Sequence, residues 1–386
     1  MNVLYVSSAC YKNNIDDYNK ILNNKLSYAH VKFHNLIIDG LIYNDCNVTY
    51  LIGLPVSKHE KLIWKQKTDH CKKGKYIQFG FINIPLLKQT IISIKMYFNI
   101  KKWLKKNNTG LVILDMTYAT VVPFVINLFR NFKGSVIGIA PDIYEYMADV
   151  NKITPQKPFV SQIMKKRLVK AYQKMDGYVF LTEQMNDVIN VNNKPYMIIE
   201  GLVEKENSKI IDYKNREKII LYAGGLSKRF GVLELIESFE KIKGAKLYLY
   251  GSGELEELIK KKSEKNKNIV FWGSCPNKDV VKMEKRSYIL VNPRGIDEYT
   301  KYSFPSKLME YLLSGTVVLT TKLPGIPKEY DDYLIYIKDL KKDLENILNK
   351  DLEELNKIGS ANNLFVNNKK NNIVQAKKII DFGGKI

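Results

Sequence analysis

Short apolar runs alternate with stretches of amphipathic spacing from one end of the chain to the other. Residues 2–7 form a first apolar run of the kind that opens a parallel sheet, and Ser7-Ser8-Ala9-Cys10 after it is a small-residue turn. Apolar spacing predicts a helix over residues 28–41 that stops at Gly40, and residues 48–52 predict a second strand. Residues 58–75 are polar, basic and aperiodic, which reads as a long loop or short helices. Residues 86–106 read as a helix with Ile91, Ile94, Phe98 and Trp103 as apolar positions and Lys95, Lys101, Lys102, Lys105 and Lys106 between them. Strands are expected over 111–116 and 135–139. A basic helix follows over 161–174, with Ile163, Leu168 and Tyr172 facing inward, then a strand over 177–181 and Thr182 as the N-cap of the next helix.

From residue 204 to 218 the chain is charged, with only Ile210-Ile211 apolar, and this composition shift predicts a domain linker. The alternation then restarts, with strands at 219–223, 246–250, 268–272, 288–291 and 317–320. Helices lie between them at 233–242, 254–262, 278–284 and from Pro305 to a stop at Gly315, and a last helix covers 371–382. Two successive runs of this kind predict an α/β protein of two doubly wound, Rossmann-like domains facing a central crevice. The expected division is 1–204 and 205–365, with a C-terminal helical segment, about 366–386, packing back on the first.

A length of 386 residues suits two cores better than one, and 45% hydrophobic with 26% charged residues is globular. Cys10, Cys46, Cys71 and Cys275 show no metal-ligand spacing, and His30, His34, His59 and His70 form no ligand pattern with them, so the expectation is a reducing, cytoplasmic setting without structural metal. The net charge of +21 must attract something negative: nucleic acid, an anionic membrane surface or a phosphorylated ligand. The sequence shows neither a zinc finger nor an RNP-type aromatic strand nor a basic heptad helix, which weighs against nucleic acid. Its opening, MNVLYVSSA, is not that of an exported chain. The apolar stretch 110–129 contains Asp115, Thr117, Thr120 and Pro123 and reads as a strand followed by a helix, not a membrane span. The basic helix at 86–106 can pack on a sheet, lie against lipid headgroups, or do both.

The stretch from Asn292 to Gly315 carries the densest chemistry. Pro305 suits a first helical turn, so the N–H groups of Ser306 and Lys307 point outward where an anion is favoured. Ser306, Lys307 and Glu310 share one helical face, a layout that suits a nucleoside diphosphate, with cation and helix end on phosphate and carboxylate on ribose. A surface Lys–Glu pair on an ordinary strand–loop–helix unit would look the same. The turns Gly224-Gly225-Leu226-Ser227-Lys228-Arg229-Phe230-Gly231 and Gly251-Ser252-Gly253-Glu254 each follow a strand and resemble phosphate cradles. Asp142 and Glu145, just past the 135–139 strand, are candidate crevice carboxylates; Asp142 can equally cap the turn after Pro141.

These segments resemble the GT-B glycosyltransferases of the large retaining group often called family four, in particular its bacterial capsule and exopolysaccharide branch. The likeness is carried by YAGGLSKRFGVLELIESF at 222–239, YGSGELEEL at 250–258, FWGSCPNKDV at 271–280, and NPR with YSFPSKLMEYLLSG ending at 315; PDIYEYM at 141–147 and FLTEQM at 180–185 are similar too. The resemblance implies that Glu310 binds the nucleotide ribose, that Gly224, Gly225 and Gly231 form the diphosphate loop, and that Phe271 to Gly273, with Trp272, meets the base. Departures accompany it: the family's first glutamate is Tyr302 here, and the loop's usual arginine and lysine are Gly225 and Phe230. Lys307 and Arg229, with Lys228 or Arg294, are the expected replacement cations, beside Ser306, with Lys307 also in a catalytic role.

Asp-x-Asp does not occur in the sequence, which agrees with a transferase that uses no metal or other cofactor. The resemblance further implies a UDP-sugar donor, retention of configuration, and an acceptor saccharide on a polyprenyl diphosphate at the inner face of the cell membrane. Asp142 or Glu145 would then orient the acceptor, or act as base if the enzyme inverts, and the basic surface would sit on anionic lipid rather than nucleic acid. A nucleotide-sugar epimerase or phosphorylase of the same fold, and a basic nucleic-acid-binding protein, are the alternatives.

Overall fold

The computed structural model describes residues 1–23, 26–143, 158–207 and 209–386. It divides into two compact units, Met1–Leu202 with Asn372–Ile386, and Val203–Asn371.

The first unit is built on β1 (Asn2–Ser7), β2 (Asn47–Ile52), β3 (Ile63–Trp64), β4 (Lys67–Cys71), β5 (Gly74–Gln78), β6 (Phe81–Ile82), β7 (Leu111–Asp115), β8 (Ser135–Ala140), β9 (Gly177–Phe180) and β10 (Tyr196–Ile198). Eight of them form one sheet in the order β10-β9-β8-β7-β1-β2-β5-β4, while β3 and β6 pair separately. Every pairing in the large sheet is parallel except β4 with β5. From β1 the chain builds outward on one side through β2 and β5, then on the other from β7 to β10, so the order reverses between β1 and β7. The central strands read as unbroken apolar runs because both of their faces are covered: Val3 to Val6 and Leu111 to Leu114 are at most 1% exposed.

Two readings of the sequence fail here for physical reasons. Residues 58–75 contain strands, not helices; β4 (KTDHC) is an edge strand with exposed polar side chains, so it carries no apolar period to detect. Gly40 does not end its helix, which runs Tyr28–Tyr43. It is instead the point where this helix meets the Asn372–Gly383 helix: a Cβ at residue 40 would lie 2.1 Å from the Asn372 carbonyl oxygen and 2.7 Å from Ala376 Cβ. Asn44 Nδ2 secures the crossing by donating to the carbonyls of Gly40 and Ile373. In the Leu87–Leu104 helix the buried stripe is Ile92, Met96, Ile100 and Trp103, leaving Ile94 and Phe98 exposed on the opposite side. Likewise, Leu168 is buried in the Pro158–Tyr172 helix but Ile163 is exposed.

The second unit carries β11 (Ile219–Ala223), β12 (Lys246–Tyr250), β13 (Ile269–Gly273), β14 (Ile289–Asn292), β15 (Val317–Thr320) and β16 (Ile335–Tyr336) in the order β13-β12-β11-β14-β15-β16, all parallel. Its order reverses between β11 and β14. Both units are therefore Rossmann-like.

Residues 204–218 are not a free linker. Tyr213 is buried, its hydroxyl donates to the Tyr288 carbonyl and accepts from Val317 N, and Arg216 donates to the carbonyls of Ile211, Lys285, Ser287 and Gly315. The helices Leu340–Leu348 and Leu352–Lys369, absent from the sequence reading, complete this unit, so residues 366–371 belong to it and not to the C-terminal segment.

Gly40→Val would force the Tyr28–Tyr43 and Asn372–Gly383 helices apart. It is expected to lower stability by about 1–3 kcal/mol, read as a reduced denaturation midpoint.

Candidate active site

In the second unit the loops that leave β11, β12, β13 and β14 are stitched together by backbone. Gly224 N donates to the Tyr250 carbonyl, Leu226 N to that of Ser252, and Gly251 N to that of Gly273. The approach is close enough to demand glycine. A Cβ on Gly251, at φ +131°, would lie 1.8 Å from the Gly224 oxygen, and one on Gly231, at φ +70°, would lie 1.9 Å from the Pro293 oxygen. The loop after β11 thus rests directly on the loop after β14, at the reversal in strand order where doubly wound sheets bind ligands.

The helix that follows the β14 loop runs Lys307–Leu313, with Ser306 as N-cap residue and Pro305 just outside, two positions later than the sequence suggests. Leu308, Tyr311 and Leu312 bury its inner face. Tyr311 locks the helix to the end of β11, its hydroxyl accepting from Ala223 N at 2.8 Å. Lys307 and Glu310 are thereby held on one face, Nζ to Oε2 at 2.6 Å, with Asn277 Nδ2 donating to the same carboxylate at 3.3 Å. Buried Glu284 lies behind them, 3.7 Å from Lys307 Nζ. Burial pushes the Lys307 ammonium down, but Glu310 and Glu284 outweigh it and hold its pKa above the ordinary lysine value. The result is a permanent cation beside a carboxylate, on the helix that Tyr311 ties to the end of β11.

The other sequence-predicted residues are distributed around this pair. Gly225 is exposed and its carbonyl accepts from Tyr222 Oη; Lys228 is exposed, and its ammonium has no ion-pair partner among the described residues. Arg229 is engaged by Asp297 at 2.7 Å and lies over the Tyr299 ring. Arg294 is almost fully buried, donating to Ser303 Oγ and stacked against Phe230 and Tyr299. Burial, and then Arg229, lower its pKa, so a nearby anion would relieve it. Trp272, the last residue but one of β13, has an exposed indole parallel to the Tyr250 ring, at an interplanar angle of 4° and a centroid separation of 6.0 Å. Tyr302 caps the Glu298–Lys301 turn, and Ser306 is exposed. In the first unit Asp142 follows β8 and accepts from the adjacent Ile143 N; Glu145 lies outside the described residues.

Residues 217–352, most of the second unit, match the family model described as glycosyl transferases group 1. The chain is a GT-B glycosyltransferase. No curated protein sequence matches it at a significant level. Among solved structures it is similar to sucrose-phosphate synthase from Thermosynechococcus elongatus, with TM-score 0.70 and 13% identity over 100% of this chain and 98% of that one. It is also similar to the lipopolysaccharide outer core galactosyltransferase WaaB (TM-score 0.62, 13% identity, 100% of both chains) and to Anabaena HepE in complex with UDP (TM-score 0.62, 10% identity, 100% of both chains). At these identities the likeness concerns the fold.

The glycosyltransferase also holds a polar cluster that the sequence did not disclose. At the β1/β7 reversal of the first unit, Asp115 at the end of β7 is fully buried and accepts from Ser7 Oγ and Thr117 N. His30 and His34, one turn apart on the Tyr28–Tyr43 helix, approach the same carboxylate at 3.6 and 3.4 Å. Burial pushes the His34 imidazole down to about 3, against the pull of Asp115. Burial pushes the Asp115 carboxyl up, but the two histidines, Thr117 and Ser7 outweigh it and hold it below the ordinary carboxylate value. The His-x3-His spacing was the available signal; its partner lies 81 residues beyond His34 in sequence.

Tyr311→Phe removes the acceptor of a buried Ala223 N–H. It is expected to cost about 1–3 kcal/mol by denaturant unfolding and to weaken nucleotide binding through the displaced Lys307–Glu310 pair.

Proposed function

We propose that this glycosyltransferase moves a sugar from a UDP-sugar to a hydroxyl of a lipid-linked saccharide in surface polysaccharide synthesis, with retention and without a metal ion at the donor. The observation that carries the reading is the Lys307–Glu310 pair, held at the β11/β14 reversal beside glycine loops that let a diphosphate approach the backbone. Glu310 accepts hydrogen bonds from the ribose hydroxyls, and Lys307 meets the diphosphate and stabilises the charge that grows on it as the bond between the sugar's anomeric carbon and the phosphate oxygen breaks. The exposed Trp272 indole offers a stacking face to the base, Lys228 and Arg229 flank the phosphates from the loop before Gly231, and Arg294, Tyr302 and Ser306 complete the donor wall. The departing phosphate oxygen takes the acceptor proton, while Asp142 and Glu145 orient the acceptor. HepE, solved with UDP, supports the base assignment, and WaaB, a lipopolysaccharide galactosyltransferase, supports a lipid-borne acceptor.

The membrane part of the proposal rests on the Leu87–Leu104 helix. Leu87, Ile94 and Phe98 are 40%, 44% and 63% exposed, and they share one outward stripe with Lys101, Lys102 and Lys105. An apolar stripe running into a cationic one suits a helix lying at a headgroup boundary, on the cytoplasmic face. No helix among the described residues is long and apolar enough to cross a membrane.

Two experiments test the reading. In a thermal-shift panel of UDP, GDP, CDP and ADP with EDTA present, UDP is expected to raise Tm by several degrees at saturation, with a smaller rise for Glu310→Ala and no sugar transfer by Lys307→Ala. No shift from any diphosphate, or turnover that survives Lys307→Ala, would sink the donor assignment. In vesicle sedimentation with anionic phosphatidylglycerol, Phe98→Asp and Lys102→Ala are each expected to weaken binding about fivefold, the equivalent of about 1 kcal/mol per anchoring residue. Equal binding by the variants would remove this face from the membrane.

A further inference from the structure

The cluster at the β1/β7 reversal has the form of an ion-binding centre. A Ser–His–Asp relay needs its histidine to meet serine through one ring nitrogen and carboxylate through the other. Here Ser8 Oγ and Asp115 Oδ2 both approach the same nitrogen, His30 Nε2, at 3.1 and 3.6 Å. His34 likewise turns Nε2 toward Asp115 Oδ2, at 3.4 Å, and that buried nitrogen makes no hydrogen bond. The donor atoms of His30, His34 and Asp115 all lie within 4.8 Å of one another. Metal–nitrogen bonds of about 2.0–2.1 Å place neighbouring corners of a tetrahedron about 3.4 Å apart, which the observed 3.4 and 3.6 Å separations match.

The surroundings orient these atoms as the outer shell of a metal site does. The Tyr5 hydroxyl is 2.7 Å from His34 Nδ1, which leaves Nε2 of the neutral ring free as a ligand when Nδ1 carries the proton. Asp115 Oδ1 accepts from Thr117 N and Oγ1, and Oδ2 from Ser7 Oγ, so the carboxylate cannot swing away.

We propose that His30 Nε2, His34 Nε2 and Asp115 Oδ2 bind one divalent transition ion of the zinc class. Two imidazoles and one carboxylate favour such an ion over magnesium or calcium, which prefer all-oxygen sites. His30 is the partly exposed member, so the fourth position opens on its side and takes water or an oxygen of a bound molecule. The site lies in the first unit, is formed by residues outside the donor assignment, and stands whether or not that assignment holds.

The test uses the full chain, stripped with a chelator and titrated with Zn2+ alone, with Co2+ as a spectroscopic substitute. One equivalent is expected to bind, with a rise in Tm and, for Co2+, the intense visible bands of a tetrahedral centre. His34→Gln and His30→Gln are each expected to weaken binding at least tenfold, whereas His59→Gln and His70→Gln leave it unchanged. Because His34 is fully buried, the rim variant His30→Gln decides the matter if His34→Gln does not fold. Absence of saturable binding in the wild-type chain, or binding that survives His30→Gln, would overturn the proposal.

Discussion

The second unit of this molecule depends on backbone meeting backbone without side chains between. Gly231 and Gly251 bring their loops against the Pro293 and Gly224 carbonyls at distances that exclude a Cβ. The same closeness allows the hydrogen bonds that join the loops after β11, β12 and β13, so strand ends become a rigid rim instead of separate mobile turns. Tyr311 ties the Lys307–Leu313 helix to Ala223, and this bond together with the buried Leu308 and Leu312 holds the Lys307–Glu310 pair in place. Chemistry at this site is set less by the acidity of any single group than by how little its framework can shift.

Charge follows the same logic. Lys307 is kept cationic by two carboxylates although burial opposes it, and Arg294 is buried with its guanidinium against Phe230 and Tyr299. Arg229 is already satisfied by Asp297. The cations near the glycine loops therefore differ in readiness: Lys228 is exposed, Lys307 is shared with Glu310, and Arg294 gains most from an incoming anion. This ordering has a physical basis in desolvation, which makes a buried cation with few compensating charges the one most relieved by a nearby anion.

The two units repeat one topology, and each reverses its strand order between its first and fourth parallel strands. In the second unit the reversal carries glycine, lysine and glutamate. In the first it carries serine, histidine and aspartate. One architecture supplies the place for a site, and the side chains brought there decide its chemistry.

Much of the fold was legible in the sequence because its signals are local. A buried parallel strand is an apolar run, a packed helix repeats at 3.6 residues, and Gly315 at φ +70° ends a helix wherever it stands. The Lys307–Glu310 pair was legible for the same reason, being one turn of one helix. What the sequence could not determine depends on distant partners. Gly40 looked like a stop and is a helix crossing, because its meaning lies in the Asn372 carbonyl. Residues 204–218 looked like a linker, and Tyr213 and Arg216 anchor them to the second unit. The polar β4 acquires a strand's identity only from β5, and Phe98 was apolar enough for a core yet points outward because Ile92, Met96 and Ile100 fill the inner stripe. The convergence of His30 and His34 on Asp115 was decided by tertiary structure alone: the parallel pairing of β1 with β7 sets the carboxylate in place, and the packing of a helix against that sheet sets the imidazoles opposite it.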